Sequence, residues 1–178
     1  MVVISLCDLS GAWSQPYEDA GYGVWRVDLQ KGEDVRLLEH RPMHVRGILA
    51  APPCTMFASS GARWERTEDE MLHALSVVDA CLRAVAVYKP KWWALENPIG
   101  KLRRYLGEPT LRFDPCDYGD PYTKRTCLWG SFKPPPKTNR VEPTEGSKMH
   151  LMSPGPERQN LRSVTPPGFA HAFFEANP

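Results

Sequence analysis

The residues of this chain best suited to covalent chemistry are a cysteine and a glutamate that each come after an apolar segment. Cys54 follows Pro52 and Pro53, which close the apolar run at positions 47–51, and Glu96 follows a second apolar run. Prolines forbid helix and restrict the backbone of a turn. Open α/β sheets place their sites at the carboxyl ends of strands. We therefore predict that both runs are strands and that a nucleophile and an acid share one active site.

A cysteine at such a position has an alternative role in packing. Free cysteine is among the most buried residue types, so its position alone leaves a core thiol and a nucleophile equally open. Glu96 at the end of another strand favours chemistry. The chain has five cysteines, an odd number, and no Cys-x-x-Cys pair. This argues against a zinc ribbon or a disulfide framework, so we expect a reducing compartment and no metal.

Length and charge set further limits. The 178 residues fit one domain with a substantial core, and the net charge of +1 means that local basic patches must meet any polyanion. No basic segment precedes the first apolar run, and no segment approaches the length that spans a membrane. We therefore expect a cytoplasmic protein without a membrane partner.

The order of the elements indicates an α/β fold. Helices are predicted over positions 14–20 and from a capping box at Thr67 and Glu70 to about position 88. Strands are predicted at positions 2–6, 23–28, 46–51, 92–95 and 126–129. Strands that alternate with helices are typical of a doubly wound, mostly parallel, Rossmann-like sheet.

We predict a single domain over positions 1–178 in three parts. Positions 1–132 form the core, and positions 133–159 form a proline-rich connection with little periodicity. Positions 160–178 return to the core as a helix, because Phe169, Phe173 and Phe174 recur at helical spacing.

The segments, in this order, resemble the DNA (cytosine-5) methyltransferases. Pro53-Cys54, followed by Phe57 and Ser59, is similar to the loop that holds the nucleophile of that family. The resemblance implies a fold of the S-adenosylmethionine-dependent methyltransferase type. It also implies that Cys54 adds to C6 of cytosine so that C5 can accept a methyl group.

Two further motifs complete the resemblance around the substrate. Glu96-Asn97 is similar to the Glu-Asn motif of the family, and Arg125, with Gly130 five residues later, resembles the second arginine of its Gln-x-Arg-x-Arg strand. The resemblance implies that Glu96 is an acid that holds N3 and the exocyclic amine, and that Arg125 holds the O2 edge. The substrate contacts that it implies are Pro53, Phe57, Ser59, Asn97 and Arg125.

The resemblance also implies S-adenosylmethionine as the methyl donor. Even without it, Asp8 and Asp28 at the ends of the first two predicted strands suit a nucleoside cofactor. The segment at positions 8–11 is similar to the first cofactor motif of the family, and Asp28 corresponds to its ribose-binding acid. The implied cofactor contacts are Asp8, Leu9, Ser10, Gly11, Asp28, Leu29, Asp34, Val35, Pro53, Ser163 and Val164.

One large part of the family pattern is missing. The interval that normally holds the target-recognition domain contains only the proline-rich connection, as in compact phage members of the family. Its basic residues Lys133, Lys137, Arg140 and Lys148 would contact phosphates, which position a nucleic acid without specifying its sequence. We therefore expect methylation of DNA with little sequence preference, in a bacterial or phage-infected cell, or recognition that a partner or second copy supplies.

Two alternatives stay open on the sequence alone. The same fold would also suit single-stranded or free cytosine nucleotides, or a variant methyl donor. The other alternative is a non-catalytic DNA-binding or decoy protein that retains the fold, although the presence of Cys54, Glu96 and Arg125 together argues against it.

Overall fold

A six-stranded sheet with helices on both faces forms the centre of the computed structural model, which describes residues 1–39, 41, 44–61, 64–147, 152, 155 and 157–178. The strands are β1 (Val2–Leu6), β2 (Gly23–Val27), β3 (Val45–Ala50), β4 (Trp92–Pro98), β5 (Leu111–Phe113) and β6 (Thr126–Ser131). The helices are α1 (Gln15–Asp19), α2 (Glu68–Tyr88), α3 (Arg103–Leu106), α4 (Arg158–Ser163) and α5 (Pro167–Ala176). The strand order is β2-β1-β3-β4-β6-β5.

The pairing confirms a doubly wound, mostly parallel sheet. β1 pairs in parallel with β2 and β3, and β3 with β4, whereas β6 is antiparallel to β4 and β5. The chain runs from β1 outward to β2 and then returns to the other side of β1 as β3. Ligand crevices open outside the carboxyl ends of strands at such a reversal. The Ala51 amide donates to the Leu6 carbonyl there at 2.9 Å, so the segments that follow β1 and β3 lie side by side.

β4 and β6 extend further than the sequence predicts. The parallel pairing of β4 with β3 stops at Leu95, but Glu96, Asn97 and Pro98 continue in antiparallel register with β6. Glu96 therefore lies within a strand instead of after one, because the antiparallel neighbour supplies hydrogen-bond partners that β3 lacks. β5 was not predicted, since three residues carry too little periodicity to be recognised.

Two apolar clusters cover the two faces of the sheet. Side chains alternate along a strand, so Ile4 packs into the cluster that contains α2, and Val3 packs into the cluster that contains α1 and α5. On the α5 face, Phe169 and Phe173 are fully buried. The rings of Phe169 and Phe113 are stacked at 3.9 Å.

Helix α2 begins at the predicted capping box. The Glu70 amide donates to the Thr67 hydroxyl at 3.1 Å, and the Thr67 amide donates to the Glu70 carboxylate at 2.9 Å. At 21 residues, α2 is long and apolar enough to cross a membrane by length and composition alone, so the expectation that no segment reaches this length was wrong. Its buried residues Val78, Cys81 and Ala84 pack against the sheet, as the inner face of a core helix does.

The proline-rich connection packs onto the body of the molecule. Residues 133–147 contain neither helix nor strand. The Tyr118 hydroxyl donates to the Pro135 carbonyl at 3.1 Å, and the Val141 amide donates to the Cys116 carbonyl at 2.9 Å. These bonds hold the segment against the turn that precedes β6.

Candidate active site

The loop that carries Cys54 is a tight turn directly after β3. The Cys54 carbonyl accepts hydrogen bonds from the amides of Phe57 and Ala58, at 2.9 and 2.8 Å. Phe57 is buried in the core, whereas Pro53 is exposed and Cys54 is half-buried. Phe57 therefore anchors the turn in the core, and Cys54 is partly buried at its other end.

Asn97 joins this loop to β4. Its buried side-chain amide donates to the Pro52 carbonyl at 2.9 Å, and its side-chain oxygen is buried without a hydrogen-bond partner. The bond links the residue next to Glu96 with a residue two positions before Cys54. A contact between Asn97 and substrate remains a prediction, because the structure assigns its amide to the loop.

The segment after β4 forms backbone hydrogen bonds with the other side of the Cys54 loop. The Lys101 amide donates to the Phe57 carbonyl at 2.7 Å, and the Ser59 amide donates to the Ile99 carbonyl at 3.0 Å. A Cβ atom on Gly100 would lie 1.9 Å from the Phe57 carbonyl oxygen, so only glycine allows this approach. The exposed Ser59 begins the short turn Ser59–Gly61 beyond these bonds.

The charge of Glu96 acts on the Cys54 thiol at this edge of the sheet. Burial, and then the negative charge of Glu96, raise the pKa of the Cys54 thiol. Burial also raises the pKa of the Glu96 carboxyl. The arrangement thus favours a neutral thiol beside an acid that holds its proton more readily than usual, as a hydrogen-bond donor to a base requires.

The cation that acts on both groups is Lys124. Its charge lowers the pKa of Cys54 and of Glu96, in opposition to burial, and its side chain is half-buried. Arg125 is exposed, and its carbonyl accepts from the Ile99 amide at 3.1 Å. Sequence reasoning selected Arg125 and missed Lys124. Adjacent residues of an extended segment point to opposite sides, so the neighbour of Arg125 was a signal that could have been considered. The role of Arg125 as a clamp remains a prediction.

Helix α4 adds a second cation that sequence reasoning missed. The charge of Arg162 lowers the pKa of Cys54, in opposition to burial. The Gln30 side chain donates to the Asn160 side-chain oxygen at 3.2 Å, so α4 also reaches the turn after β2. Ser163 is exposed and Val164 is half-buried at the end of α4, and their contact with a cofactor remains a prediction.

Asp8 organises the turn after β1. Its buried carboxylate accepts hydrogen bonds from the hydroxyls of Ser5 and Ser14, at 2.7 and 2.9 Å, and from the Gly11 amide at 2.7 Å. Leu9 is half-buried and Ser10 is exposed on the outside of this turn.

Gly11 has a left-handed backbone with φ of 72°. A Cβ atom there would lie 2.8 Å from the Arg26 guanidinium. The backbone conformation therefore favours glycine, whereas the contact is with the flexible end of the Arg26 side chain.

The residues after β2 include Asp28, which the sequence predicts as a ribose-binding acid. The half-buried Asp28 accepts from the Gln30 amide at 2.8 Å through one oxygen, and a carboxylate has capacity for further bonds, such as those from ribose hydroxyls. The neighbouring Leu29 is an exposed apolar side chain. Hydrogen bonds from Arg36 hold the pKa of the Asp34 carboxyl below its usual range, and Val35 is buried. Asp34, one of the implied cofactor contacts, is thus already paired with the Arg36 guanidinium.

Two basic residues of the proline-rich connection form ion pairs within the protein. The Lys137 ammonium donates to the Asp117 carboxylate at 2.7 Å, and Arg140 lies 3.8 Å from the same group. Lys133 is exposed, and Lys148 lies outside the described residues. Within the described part of the chain, no three His, Cys, Asp or Glu side chains are grouped as metal ligands.

Comparison with known proteins identifies the fold. No family model matches the chain, and no curated protein matches it. Chains of solved structures do match, among them a protein provisionally assigned as a DNA modification methyltransferase encoded within a prophage (E. coli). The match has 19% identity and a TM-score of 0.54, and it covers 74% of this chain but 46% of that one. The protein therefore has a Rossmann-like fold of the methyltransferase type, and its chain spans less than half of that structure.

Proposed function

We propose that this protein transfers a methyl group from S-adenosylmethionine to C5 of cytosine in DNA, through a covalent bond between the Cys54 sulfur and C6. The observation that carries the proposal is geometric: the Cys54 loop and Glu96 lie at the carboxyl ends of the neighbouring strands β3 and β4, and the Asn97–Pro52 hydrogen bond joins the two segments. The fold shared with a protein assigned as a DNA modification methyltransferase supports methyl transfer and DNA as the substrate.

The residues divide the reaction between them. Cys54 loses its proton to solvent, and its thiolate adds to C6 while the protonated Glu96 donates a hydrogen bond to N3. Lys124 opposes the rise in the pKa of Cys54 and so favours the thiolate. After C5 has gained the methyl group, loss of the C5 proton expels the thiolate and restores the aromatic ring. In a duplex, the target base must first leave the stack, at a cost of a few kcal/mol.

The cofactor would occupy the crevice between β1 and β3. When bound, it supplies an electrophilic methyl group. The turn that Asp8 organises would face its methionine end, and Asp28 would accept hydrogen bonds from its ribose. Asp28→Ala is expected to weaken binding of S-adenosylhomocysteine in calorimetry, whereas Cys54→Ala should leave this binding nearly unchanged.

A mechanism-based trap tests the proposal. DNA that contains 5-fluorocytosine cannot lose its C5 substituent, so with cofactor it should remain covalently bound to the enzyme. We expect the wild-type protein to form this adduct and Cys54→Ser to form none. Cys7→Ser, which changes the other half-buried thiol, should behave as wild type. A wild-type protein that forms no adduct with single-stranded or duplex DNA would contradict the proposal.

A further inference from the structure

A cleft of about 420 Å³ opens beside the Cys54 loop, between the segment that precedes α2 and the segment that follows β4. We call it the Trp64 cleft. Its lining includes Trp64, Arg66, Met71 and Lys101, together with the carboxylate residues Glu65 and Glu68. None of these residues has a role in the reaction proposed above.

Trp64 presents an aromatic surface in this cleft. The side chain is 58% exposed, which is unusual for tryptophan, and the half-buried Met71 lies in the same lining. Nucleobases stack on aromatic side chains without regard to sequence, because every base has a π-face. An exposed indole next to a candidate base-modifying site therefore suits an unstacked base.

Two basic residues connect the cleft to the nucleophile loop. The Arg66 guanidinium donates to the Thr55 carbonyl at 3.3 Å, one residue beyond Cys54. The Lys101 amide donates to the Phe57 carbonyl at 2.7 Å, and its side chain lines the cleft. A ligand in the cleft would therefore lie against residues that hold the Cys54 loop in place.

The charges of the lining limit what the cleft accepts. Arg66 and Lys101 are balanced by Glu65 and Glu68, so the cleft has no net positive charge for a run of phosphates. A single nucleotide would place its phosphate beside one of these cations and an exocyclic amine or sugar hydroxyl beside one of the carboxylates, so both charges of the lining would have a partner. This balance suits a single nucleotide better than a length of duplex backbone.

We propose that the Trp64 cleft holds one unstacked nucleotide of single-stranded DNA, next to the cytosine that reaches Cys54. The inference rests on the proposed function and deepens it, because it names the substrate class. In a duplex, the bases beside the target remain stacked on each other and cannot use the Trp64 face. The cleft thus supplies affinity for single strands without a sequence-reading domain.

Binding of fluorescein-labelled oligothymidine, measured by anisotropy in a Cys54→Ala background, tests the cleft without methyl transfer. Trp64→Ala should weaken binding about five- to one-hundred-fold, and Trp64→Phe, which keeps a ring, should retain most of the affinity. Leu37→Ala, at another exposed apolar residue (78% exposed), is the control and should have no effect. Unchanged affinity in Trp64→Ala, with its circular dichroism intact, would overturn the inference.

A second variant and its control test the role of Lys101. Lys101→Ala should reduce the salt dependence of oligothymidine binding by about 0.7 in the slope of log K against log salt, the value for one phosphate contact on a single strand. Lys91→Ala removes an exposed lysine that lies just before β4 and outside the cleft, and it should leave the slope unchanged. Equal slopes for both variants and the parent would also count against the cleft.

The two proposals fail in different ways. A 5-fluorocytosine adduct on wild-type protein, together with unchanged oligothymidine binding in Trp64→Ala, would refute the cleft and keep the methyltransferase. Loss of oligothymidine binding in Trp64→Ala, without any adduct, would keep the cleft as a nucleotide site and refute cytosine chemistry.

Discussion

At the residue scale, burial raises the pKa of the Cys54 thiol, and charges from three separate elements add to this effect or oppose it. Glu96 of β4 raises the pKa of the thiol, whereas Lys124 before β6 and Arg162 of α4 lower it. A cytosine that accepts a hydrogen bond from Glu96 would keep that acid protonated, which removes the charge that opposes the thiolate. Binding of the correct base would in this way favour ionisation of the nucleophile.

Thiol alkylation as a function of pH tests this balance. The rate of reaction of Cys54 with iodoacetamide should rise with pH through the thiol pKa, which lies above its ordinary value. Glu96→Gln removes a negative charge and should move the curve to lower pH. Lys124→Ala removes a positive charge and should move it to higher pH. Peptide-resolved mass spectrometry gives the rates, and shifts in the same direction would contradict the assignment.

Asp8 is expected to be a determinant of stability as well as of the cofactor turn. Asp8→Ala leaves the Ser5 hydroxyl and the Gly11 amide without their acceptor, and it leaves the Ser14 hydroxyl only the longer bond to the Gly11 carbonyl, at 3.2 Å. Hydrogen bonds to charged groups are worth about 1.5–3 kcal/mol each, and the free energy of unfolding should fall by about 2–4 kcal/mol in urea titration. Asp19→Ala, at an exposed carboxylate, should change it by less than about 1 kcal/mol. Similar losses in both variants would refute the role of Asp8.

At the scale of elements, several contacts join the Cys54 loop to the end of β4. Backbone bonds from Ser59 and Lys101, the Asn97 side chain and the core contact of Phe57 all hold the loop. A catalytic thiol needs such support, because small displacements of a reacting group are costly in rate. The absence of a side chain at Gly100 allows the two backbones to approach closely enough for these bonds.

Substitution of Gly100 should loosen this unit. The methyl group of Gly100→Ala would overlap the Phe57 carbonyl, and we expect a loss of about 1–3 kcal/mol in the free energy of unfolding together with a lower yield of the Cys54 adduct. At Gly23 an added Cβ would lie 3.5 Å from the nearest atom, an ordinary contact, so Gly23→Ala serves as the control. An adduct yield equal to wild type in Gly100→Ala would show that the close approach is not needed.

At the scale of the whole molecule, the C-terminal segment closes the α5 face of the sheet. The Tyr17 hydroxyl donates to the Asn177 carbonyl at 2.9 Å, and the Asn177 side chain bonds both the amide and the carbonyl of Lys133, at 2.8 and 2.9 Å. The segment thus ties α1 to the start of the proline-rich connection. These contacts join parts of the molecule that lie far apart in the sequence.

Phe173 carries much of this closure. Its ring packs edge-on against Trp13 and Trp92, at 5.6 and 5.7 Å, and is fully buried. Phe173→Ala should lower the free energy of unfolding by about 3–5 kcal/mol in denaturant titration, which is the usual range for a buried phenylalanine. Phe174→Ala, at a half-buried neighbour, should cost clearly less. An equal loss in the free energy of unfolding for Phe173→Ala and Phe174→Ala would contradict this role of Phe173.

The sequence by itself determined the elements whose causes are local. The strands β1 and β3 follow from apolar runs, and α2 follows from the capping box at Thr67 and an apolar stripe at helical spacing. The position of Cys54 after two prolines also specified a turn at the edge of the sheet. These features depend on neighbours within a few residues, so they can be recognised without knowledge of the rest of the chain.

Only the tertiary structure decided which side chains meet. The extension of β4 through Glu96 required an antiparallel partner from residues 126–131, and Lys124 and Arg162 act on Cys54 because strand order and the return of the chain place them there. The cleft at Trp64 likewise needs Lys101 from a distant segment. Such contacts depend on the register and packing of segments that lie far apart in sequence, so a local sequence pattern cannot predict them.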